Sequence, residues 1–212
     1  MSLAEQLAQG IAELQLPVPA EIECKLLNFI ALITKWNRVH NLTAVRSETK
    51  MVSSHLLDCL AVATHLDAST VLDVGSGAGL PGIVLALMWP RARVTLLDSN
   101  HKKAAFLSQA VIELKIDNAV AACARVEAWD PGHQYDLVIA RAVSDLPEFL
   151  QLAGHHCSDG GTIAAMKGVY PHEELAQIPP AFTLNRVVPL KVPGLNAERH
   201  LVLLAARNLA HG

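Results

Sequence analysis

The sequence predicts an α/β fold in which an N-terminal helical extension precedes a mostly parallel sheet that a C-terminal antiparallel hairpin completes. Apolar residues recur at helical spacing up to about residue 66. From Thr70 onward short apolar strands alternate with helices, as in βαβ units, and after Pro179 this alternation stops. The chain has 212 residues, 51% of them hydrophobic and 17% charged. That composition suits one main domain with an appendage and excludes a disordered chain or a coiled coil.

The first 66 residues predict three helices. Pro17 and Pro19 separate the first two, because proline can begin a helix but cannot continue one. A polar break, Asn37–Thr49, precedes the third helix. The apolar residues that define the helices are Leu3, Leu7, Ile11 and Leu14, then Leu26, Ile30, Ile33 and Trp36, then Leu56, Leu60 and Val62. We therefore expect a helical extension over residues 1–66 and a second domain over residues 67–212.

Residues 67–212 predict a seven-stranded sheet. The predicted strands are Val71–Val74, Val94–Asp98, Ala119–Ala124, Leu137–Ala140, Thr162–Met166, Val187–Leu190 and His200–Ala205. The predicted helices are Pro81–Met88, Lys102–Leu114 and Leu146–His156, with a short helix after Pro171. A Pro193-Gly194 turn joins the last two strands, which indicates an antiparallel hairpin at the edge of the sheet.

Charge, cysteines and hydropathy exclude several classes of protein. The 17 basic and 20 acidic side chains give a net charge of −3, which by itself does not indicate a nucleic-acid-binding protein. The four cysteines form no CxxC pair, so we expect neither a disulfide framework nor a zinc ribbon. Residues 1–16 contain no lysine or arginine, unlike a signal peptide, and no apolar run approaches the roughly 18 residues of a membrane span. We expect a cytoplasmic protein without membrane attachment.

The most informative segment is the glycine-rich stretch between the first strand and the first helix of the sheet domain. Gly75, Gly77 and Gly79 allow a sharp turn and let a ligand lie against main-chain N–H groups at a helix N-terminus. The next strand ends at Asp98, 23 residues beyond Gly75, where a carboxylate can accept hydrogen bonds from both hydroxyls of a ribose. The spacing predicts a ligand that contains a nucleoside.

Two ligand classes fit this segment. Gly77-x-Gly79-x-x-Gly82 matches the GxGxxG pattern of nicotinamide and flavin sites, so a nicotinamide-dependent oxidoreductase is one alternative. Asp73 favours S-adenosyl-L-methionine as the ligand. A carboxylate attracts the ammonium group of that molecule, whereas it would repel the pyrophosphate of a dinucleotide. The predicted hairpin also departs from the fully parallel dinucleotide sheet. We therefore predict a class I S-adenosylmethionine-dependent methyltransferase with a Rossmann-like, seven-stranded sheet.

The residues that are missing limit the chemistry. The predicted fourth strand is followed by Arg141-Ala142-Val143 rather than the Asn/Asp-Pro-Pro-aromatic motif of exocyclic-amine methylases. Cys123 lies in an apolar run and is expected in the core, not as a nucleophile. Direct displacement remains: a lone pair such as guanine N7 loses no proton on methylation, so positioning can carry catalysis.

Several segments of the chain match the motifs of one known family. The matching segments are Trp36-Asn37, His40-Asn41-Leu42-Thr43, His55-x-x-Asp58, Asp73–Gly82, Leu96-Leu97-Asp98-Ser99, Arg125-Val126-Glu127, Arg141-Ala142 and Met166-Lys167-Gly168. Together they resemble the bacterial small-subunit ribosomal RNA guanine-N7 methyltransferases, also called glucose-inhibited division protein B, from about Leu26 to Ala205. The departure is Asp58-Cys59, where the family usually has Asp-Ser.

The resemblance implies methyl transfer from S-adenosyl-L-methionine to N7 of one guanine in the 530 loop of 16S rRNA, with S-adenosyl-L-homocysteine as product. It also implies cofactor contacts at Gly75, Leu80, Val126, Glu127 and Arg141. Together with Asp73, Gly77, Gly79 and Asp98 these make up the predicted cofactor site. A third alternative is a ribosome-assembly factor that keeps the cofactor fold without catalysis. The partner is 16S rRNA or the small ribosomal subunit, and a monomer is the default.

The remaining candidates concern RNA and metal. No catalytic side chain is assigned; Arg141 and Lys167 are candidates for positioning the substrate, Arg141 through the cofactor or a phosphate. Asn41, with His40, either binds substrate or, with Thr43, caps the following helix. His155-His156-Cys157 is not expected to bind metal, because consecutive residues rarely converge on one ion. The RNA-binding candidates are Arg38, Asn41, Arg46, Lys102, Lys103 and Lys167, from basic segments that also include Lys35, Lys50, Arg91 and Arg93.

Overall fold

A seven-stranded sheet forms the centre of the molecule, of which the computed structural model describes residues 1–143 and 145–206. Its strand order is β3-β2-β1-β4-β5-β7-β6, and β7 pairs antiparallel with both β5 and β6. The other neighbouring strands pair in parallel. The strands are β1 (Thr70–Val74), β2 (Arg93–Asp98), β3 (Ala119–Cys123), β4 (Tyr135–Arg141), β5 (Cys157–Lys167), β6 (Phe182–Pro189) and β7 (His200–Ala206). The predicted α/β fold with an antiparallel C-terminal hairpin is confirmed.

Eight α-helices accompany these strands in the described part of the chain. They are α1 (Leu3–Glu13), α2 (Ala20–His40), α3 (Glu48–Met51), α4 (Asp58–Ala63), α5 (Gly82–Met88), α6 (His101–Glu113), α7 (Leu146–Ala153) and α8 (His172–Leu175). A π-helical segment, Val52–Leu57, joins α3 directly to α4. The predicted third helix is therefore one continuous helical stretch with a wide turn in its middle, a feature that often accompanies functional sites.

Several predicted boundaries differ from the structure. Strand β6 begins at Phe182 rather than Val187, because residues 182–184 and 186 also pair with β7 although residues 184–186 are exposed. Strand β5 begins at Cys157 rather than Thr162, because Cys157 pairs with Tyr135 across a register shift although the intervening residues are polar. The helix predicted to reach His156 ends at Ala153, and a 3₁₀ turn follows. The hairpin between β6 and β7 closes through a long loop over residues 190–199, closed at its base by the Leu190 N–H, which donates to the Arg199 carbonyl.

The helical extension and one face of the sheet share a single hydrophobic core. Leu7 of α1, Phe29 of α2 and Leu57 of the π segment belong to the same buried cluster as Val84 of α5 and Leu96 of β2. A second cluster covers the opposite face, where Phe149 of α7 packs with residues of β4 and β5. The boundary at residues 66 and 67 stays a prediction. Within the described ranges no helix combines the length and apolar character needed to cross a bilayer.

Asn37 attaches the polar segment after α2 to that helix. Its side-chain amide donates to the carbonyl of Thr43 at 2.9 Å and accepts from the Thr43 N–H at 3.0 Å, and Asn37 is 3% exposed. The prediction that Asn41 caps the following helix is wrong. Asn41 ends α2 in the left-handed conformation, with φ of 46°, which asparagine adopts more readily than most residues, and Ser47 is the residue before α3.

We expect the Asn37→Ala substitution to lower the free energy of unfolding by about 2 kcal/mol or more, because it leaves buried backbone groups of the polar segment without partners. Asn28→Ala is the matched control: Asn28 is exposed on the same helix and contacts only the Cys24 sulfur, at 3.8 Å. Urea denaturation measures both. Equal losses in the two variants would contradict the anchoring role of Asn37.

Candidate functional site

Two cavities open at the carboxyl edge of the sheet, where open parallel sheets bind their ligands. The first, the adenosine cavity, measures about 140 Å³ and lies at the ends of β1, β2 and β3. It is lined by Val74, Gly75, Leu97, Asp98, Ser99, Ala124, Arg125, Val126 and Glu127. The second, the arginine cavity, measures about 360 Å³ and lies at the ends of β4 and β5. It is lined by Asp58, Arg141, Ala142, Met166, Lys167, Gly168 and Arg199.

The glycine turn between β1 and α5 forms one wall of the adenosine cavity. Gly75, Gly77 and Gly79 have φ values of 65°, 59° and 82°, so each needs the freedom of glycine. A Cβ on Gly75 would meet no atom within 4 Å, whereas a Cβ on Gly79 would lie 2.5 Å from Ile83. Gly75 therefore faces open space beside the cavity, and Gly79 faces packed side chains. Leu80 is also buried in the core.

Asp73 lies beneath the same turn and is fully buried. Its Oδ2 accepts hydrogen bonds from the Ser76 hydroxyl at 2.5 Å and from the Gly82 N–H at 2.9 Å. Its Oδ1 is buried without a hydrogen-bond partner among the described residues. Burial raises the pKa of Asp73 to about 7, although the two hydrogen bonds and Arg141 oppose that shift. The predicted ammonium contact would satisfy Oδ1, and it stays a prediction.

Asp98 connects the end of β2 to the glycine turn. Its Oδ2 accepts from the Gly77 N–H at 2.9 Å, and its Oδ1 accepts from the Asn100 N–H at 2.8 Å. A carboxylate oxygen can accept a second hydrogen bond, so each oxygen keeps acceptor capacity. The side chain lines the adenosine cavity together with Val126 and Glu127, which follow β3 in a 3₁₀ turn. Asp98 therefore lies at the same cavity as Gly75, as the spacing predicted, and its contact with a ribose stays a prediction.

Asp58 of α4 lies between two arginines at the arginine cavity. Arg199 Nε is 3.3 Å from Asp58 Oδ1, and Arg141 Nη1 is 4.0 Å from Asp58 Oδ2. Burial raises the pKa of Asp58, and the two guanidinium groups oppose that rise. Neither Asp58 nor Arg199 was assigned a role from sequence. A signal existed for Asp58: an acid among the apolar residues of a buried helix needs a cationic partner.

His55, in the π segment, links the arginine cavity to the polar segment after α2. Its Nε2 lies 2.9 Å from the Thr43 hydroxyl, and its Nδ1 lies 2.8 Å from the Ser54 carbonyl and 3.3 Å from Arg141 Nη1. Burial and the neighbouring Arg141 lower the pKa of His55 to about 4. His55 is therefore neutral at physiological pH, and Thr43 serves this contact rather than a helix cap.

Lys167 lines the arginine cavity but already has partners. Its Nζ donates to the Val143 carbonyl at 2.7 Å and to Glu174 at 2.8 Å, and its side chain is only 10% exposed. Glu174 therefore neutralises most of the charge that Lys167 would offer to an RNA phosphate. A contact between Lys167 and substrate stays a prediction, restricted to a group that enters the cavity.

The other RNA-binding candidates lie outside the lining of the two cavities. Arg38 is exposed in the last turn of α2, and Arg46 donates to the Asn37 carbonyl and to Asn41 Oδ1, both at 2.9 Å. Lys102 and Lys103 lie in the first turn of α6, three and four residues after Ser99 of the adenosine cavity. A common RNA-binding face for these residues stays a prediction.

Arg91 and Arg93 do not share that face. They lie at the amino end of β2, whereas Lys102 and Lys103 follow its carboxyl end. A strand of six residues separates the two pairs by about 20 Å. The strand direction therefore places Arg91 and Arg93 at the edge of the sheet opposite to Lys102 and Lys103. A larger cavity of about 660 Å³ lies at that amino edge, where parallel sheets do not bind ligands.

Cys123, Trp36 and His156 each contact other groups of the protein. Cys123 is exposed, with its sulfur 3.2 Å from His101 Nδ1, so its predicted place in the core is wrong; β3 is an edge strand. Trp36 packs against Phe106 with ring centroids 5.5 Å apart, as expected of a packing residue. His156 contacts the Val126 carbonyl at 2.9 Å, and no cluster of three metal-ligating side chains occurs in residues 1–143 and 145–206.

The adenosine cavity fits S-adenosyl-L-methionine on three observations. The missing Cβ of Gly75 leaves open space at the turn, Asp98 keeps acceptor capacity for hydroxyl groups, and the buried Oδ1 of Asp73 lacks a donor. A nucleoside in this cavity would direct its remaining atoms along the end of β1 toward β4 and the arginine cavity.

Comparisons with known proteins agree with this geometry. The sequence model of the family GidB, rRNA small subunit methyltransferase G, matches residues 22–202. The ribosomal RNA small subunit methyltransferase G of Nitrosospira multiformis is 52% identical, covering 96% of this chain and 98% of the relative. That of Laribacter hongkongensis is 51% identical, covering 98% and 100%. A crystal structure of a SAM-dependent methyltransferase from Aquifex aeolicus shares the fold, with a TM-score of 0.59 at 18% identity over 71% of this chain and 91% of the other.

Two glycines of the turn should respond differently to alanine. Gly75→Ala should weaken S-adenosyl-L-homocysteine binding at least about tenfold while costing about 1–2 kcal/mol of stability for the left-handed backbone. Gly82→Ala should instead lower stability severely, because its Cβ would lie 2.3 Å from Leu96 and 2.6 Å from Asp73. Calorimetric titration and thermal unfolding separate the two effects. Unchanged cofactor affinity in a folded Gly75→Ala protein would contradict the cavity assignment.

Asp73→Asn should alter both cofactor affinity and the pH dependence of stability. Because the pKa of Asp73 is raised from 3.8 to about 7, the folded protein holds a proton in that window that the unfolded chain has lost. This group therefore favours folding most at low pH, and its contribution falls as pH rises from about 4 to 7. The variant loses that contribution, so its unfolding free energy minus that of the wild type should increase with pH. Parallel profiles from denaturant titrations at pH 5, 6, 7 and 8 would contradict this.

The same variant tests the ammonium contact. Losing a charge-assisted hydrogen bond should weaken S-adenosyl-L-homocysteine binding about tenfold or more. Asp136→Asn is the control, because Asp136 accepts from Ser69 and Thr70 at the opposite edge of the sheet. Titration calorimetry at pH 8 should show a loss of affinity for Asp73→Asn only.

Proposed function

The chain belongs to the family of rRNA small subunit methyltransferase G, and we propose from this that it methylates N7 of one guanine in the 530 loop of 16S rRNA. The cofactor is S-adenosyl-L-methionine, and the product is S-adenosyl-L-homocysteine. The observation that carries the proposal is the junction of two sites at one sheet edge. The adenosine cavity lies beside a cavity whose arginines can meet a polyanion.

Direct displacement suits the side chains around this junction. When bound, S-adenosyl-L-methionine supplies a methyl group on a sulfonium, and the N7 lone pair takes that methyl without releasing a proton. No general base is then required. None of the residues that line the two cavities is a histidine, and the nearby His55 is neutral with both ring nitrogens in contact with protein groups. Catalysis in this arrangement depends on orientation.

We assign the following tasks to residues of this chain. Asp98 would accept hydrogen bonds from the ribose hydroxyls, and Gly75 would let the nucleoside approach the backbone. Asp73 Oδ1 would accept from the ammonium. Val126 and Glu127 would lie beside the adenine, and Arg141, in the wall of the second cavity, would contact the cofactor.

The substrate partner is RNA, and the proposal specifies 16S rRNA alone or within the small ribosomal subunit. The candidate contacts of this partner are Arg38, Asn41, Arg46, Lys102 and Lys103. The target base would leave its stack to reach the pocket, as enzymes acting on stacked bases require. The proposal also assigns the enzyme to the cytoplasm, where bacterial ribosomes are assembled, and takes it to act as a monomer.

Methyl transfer from labelled cofactor to RNA lacking the modification tests this function. We expect the purified protein to label 16S rRNA or small subunits at a single guanine, mapped by borohydride and aniline cleavage, which breaks the chain at N7-methylguanosine. A matched RNA with 7-deazaguanine at the target replaces N7 by a carbon and should accept no methyl group.

Three outcomes would reject the proposal. Label retained by the 7-deazaguanine RNA would exclude N7 as the acceptor. Label at other nucleotides would exclude the 530 loop. Tight binding of S-adenosyl-L-homocysteine without any transfer to either substrate form would favour an assembly factor that only retains the cofactor fold.

A further inference from the structure

The arginine cavity contains an ion-pair arrangement that joins three distant parts of the chain. Asp58 belongs to the helical extension, Arg141 ends β4, and Arg199 directly precedes β7. The Asp58 side chain is 4% exposed, whereas those of Arg141 and Arg199 are 24% and 25% exposed. A buried carboxylate thus holds two guanidinium groups that remain accessible from the cavity.

Both guanidinium groups keep donors for a ligand. Arg199 uses Nε toward Asp58 and Nη1 toward the Glu198 carbonyl, and Arg141 uses Nη1 toward Ser54, His55 and Asp58. Across residues 1–143 and 145–206, the Nη2 atoms of Arg141 and Arg199 make no hydrogen bond to protein. The charge is also incompletely balanced, because Lys167 is paired with Glu174 and, in the described part of the chain, Asp58 is the one carboxylate that forms an ion pair with either arginine. The cavity therefore suits an anion.

The anion that suits this chemistry is a phosphodiester rather than the base. N7 methylation makes the guanine ring cationic, so two guanidinium groups against the ring would oppose the developing charge. A phosphodiester keeps its negative charge throughout the reaction. Its two free oxygens also match the planar donor fork of arginine.

We propose that Arg199 binds the phosphodiester next to the target guanine, at the side of the cavity away from the cofactor contact expected of Arg141, and that Asp58 holds the Arg199 guanidinium in position for it. This rests on the proposed rRNA methylation and adds a substrate contact at Arg199. Asp58 is a positioning residue, because it acts through Arg199. Without its charge the two cations would repel each other and separate.

The backbone at this cavity is consistent with a dedicated site. Ala142, directly after Arg141, has φ of 58°, a left-handed conformation that costs a non-glycine residue about 1–2 kcal/mol. Such strain is retained where the surrounding structure requires it, commonly at functional sites. Here it accompanies the turn of the chain immediately after the arginine.

Arg199→Gln tests the phosphate contact, with Arg93→Gln as the matched control. Both variants lose one positive charge, but Arg93 is exposed at the opposite edge of the sheet. We expect Arg199→Gln to raise the KM for RNA about tenfold and to reduce the slope of log affinity against log salt by about 0.7–0.9, the loss of one phosphate contact. Affinity for S-adenosyl-L-homocysteine should stay close to wild type. The thermal midpoint should fall, because the buried Asp58 carboxylate loses the nearer of its two cationic partners, so KM is measured well below the unfolding transition. The control should keep the wild-type KM.

A neutral linkage locates the contact. Two 16S rRNAs, prepared by splinted ligation, would carry a single methylphosphonate on the 5′ or the 3′ side of the target guanine. One of them should bind wild-type protein about tenfold more weakly and bind Arg199→Gln no more weakly than the unmodified RNA does. If each linkage weakens binding to Arg199→Gln as much as it weakens binding to wild-type protein, the proposal is overturned.

Asp58→Asn tests the positioning role. It should raise the KM for RNA and reduce the salt slope as Arg199→Gln does, and the two substitutions combined should be no worse than either alone. Additive losses from the two substitutions would show that Asp58 does not act through Arg199. If wild-type protein transfers no methyl group, the proposed function itself fails; if it does and Arg199→Gln behaves as wild type, only the phosphate contact is wrong.

Discussion

A buried carboxylate holds the turn on which the rest of the structure depends. Asp73 joins the end of β1 to the start of α5 by accepting both the Ser76 hydroxyl and the Gly82 N–H on one oxygen. This contact requires glycine at position 82, because any Cβ there would collide with Leu96 and with Asp73 itself. The same turn leaves Gly75 facing open space, and its Gly77 N–H donates to Asp98. One loop therefore determines both helix packing and the shape of the cofactor site.

The helical extension contributes polar groups to the sheet edge as well as core packing. Asn37 anchors the polar segment, Thr43 of that segment contacts His55, and His55 lies against Arg141. Asp58, one turn further along, pairs with Arg141 and Arg199. These contacts connect the end of α2 to the arginine cavity through protein groups alone. The extension is consequently part of the wall of the arginine cavity, where the buried charge of Asp58 balances two cations.

Much of the fold and half of the site could be predicted because they follow from local sequence. Alternating apolar strands and helices specify a parallel sheet, and the spacing of the glycine turn and Asp98 correctly predicted that Gly75 and Asp98 lie together at one cavity. Other features depend on partners that are distant in the chain. The strand β5 begins early because Cys157 pairs with Tyr135, and Cys123 is exposed because β3 lies at the sheet edge. Neither fact is encoded in the hydropathy of the segment concerned.

The sequence by itself determined the class of fold, the glycine turn with its acidic partner, and the family resemblance, since each rests on short motifs and on the periodicity of single strands and helices. Only the tertiary structure decided which charged groups meet. Asp58 forms ion pairs with Arg141 and Arg199, and Lys167 forms one with Glu174. Arg91 and Arg93 lie at the opposite edge of the sheet from Lys102 and Lys103. The physical reason is that strand direction and burial, which emerge when the whole sheet packs, set the distances over which charges interact.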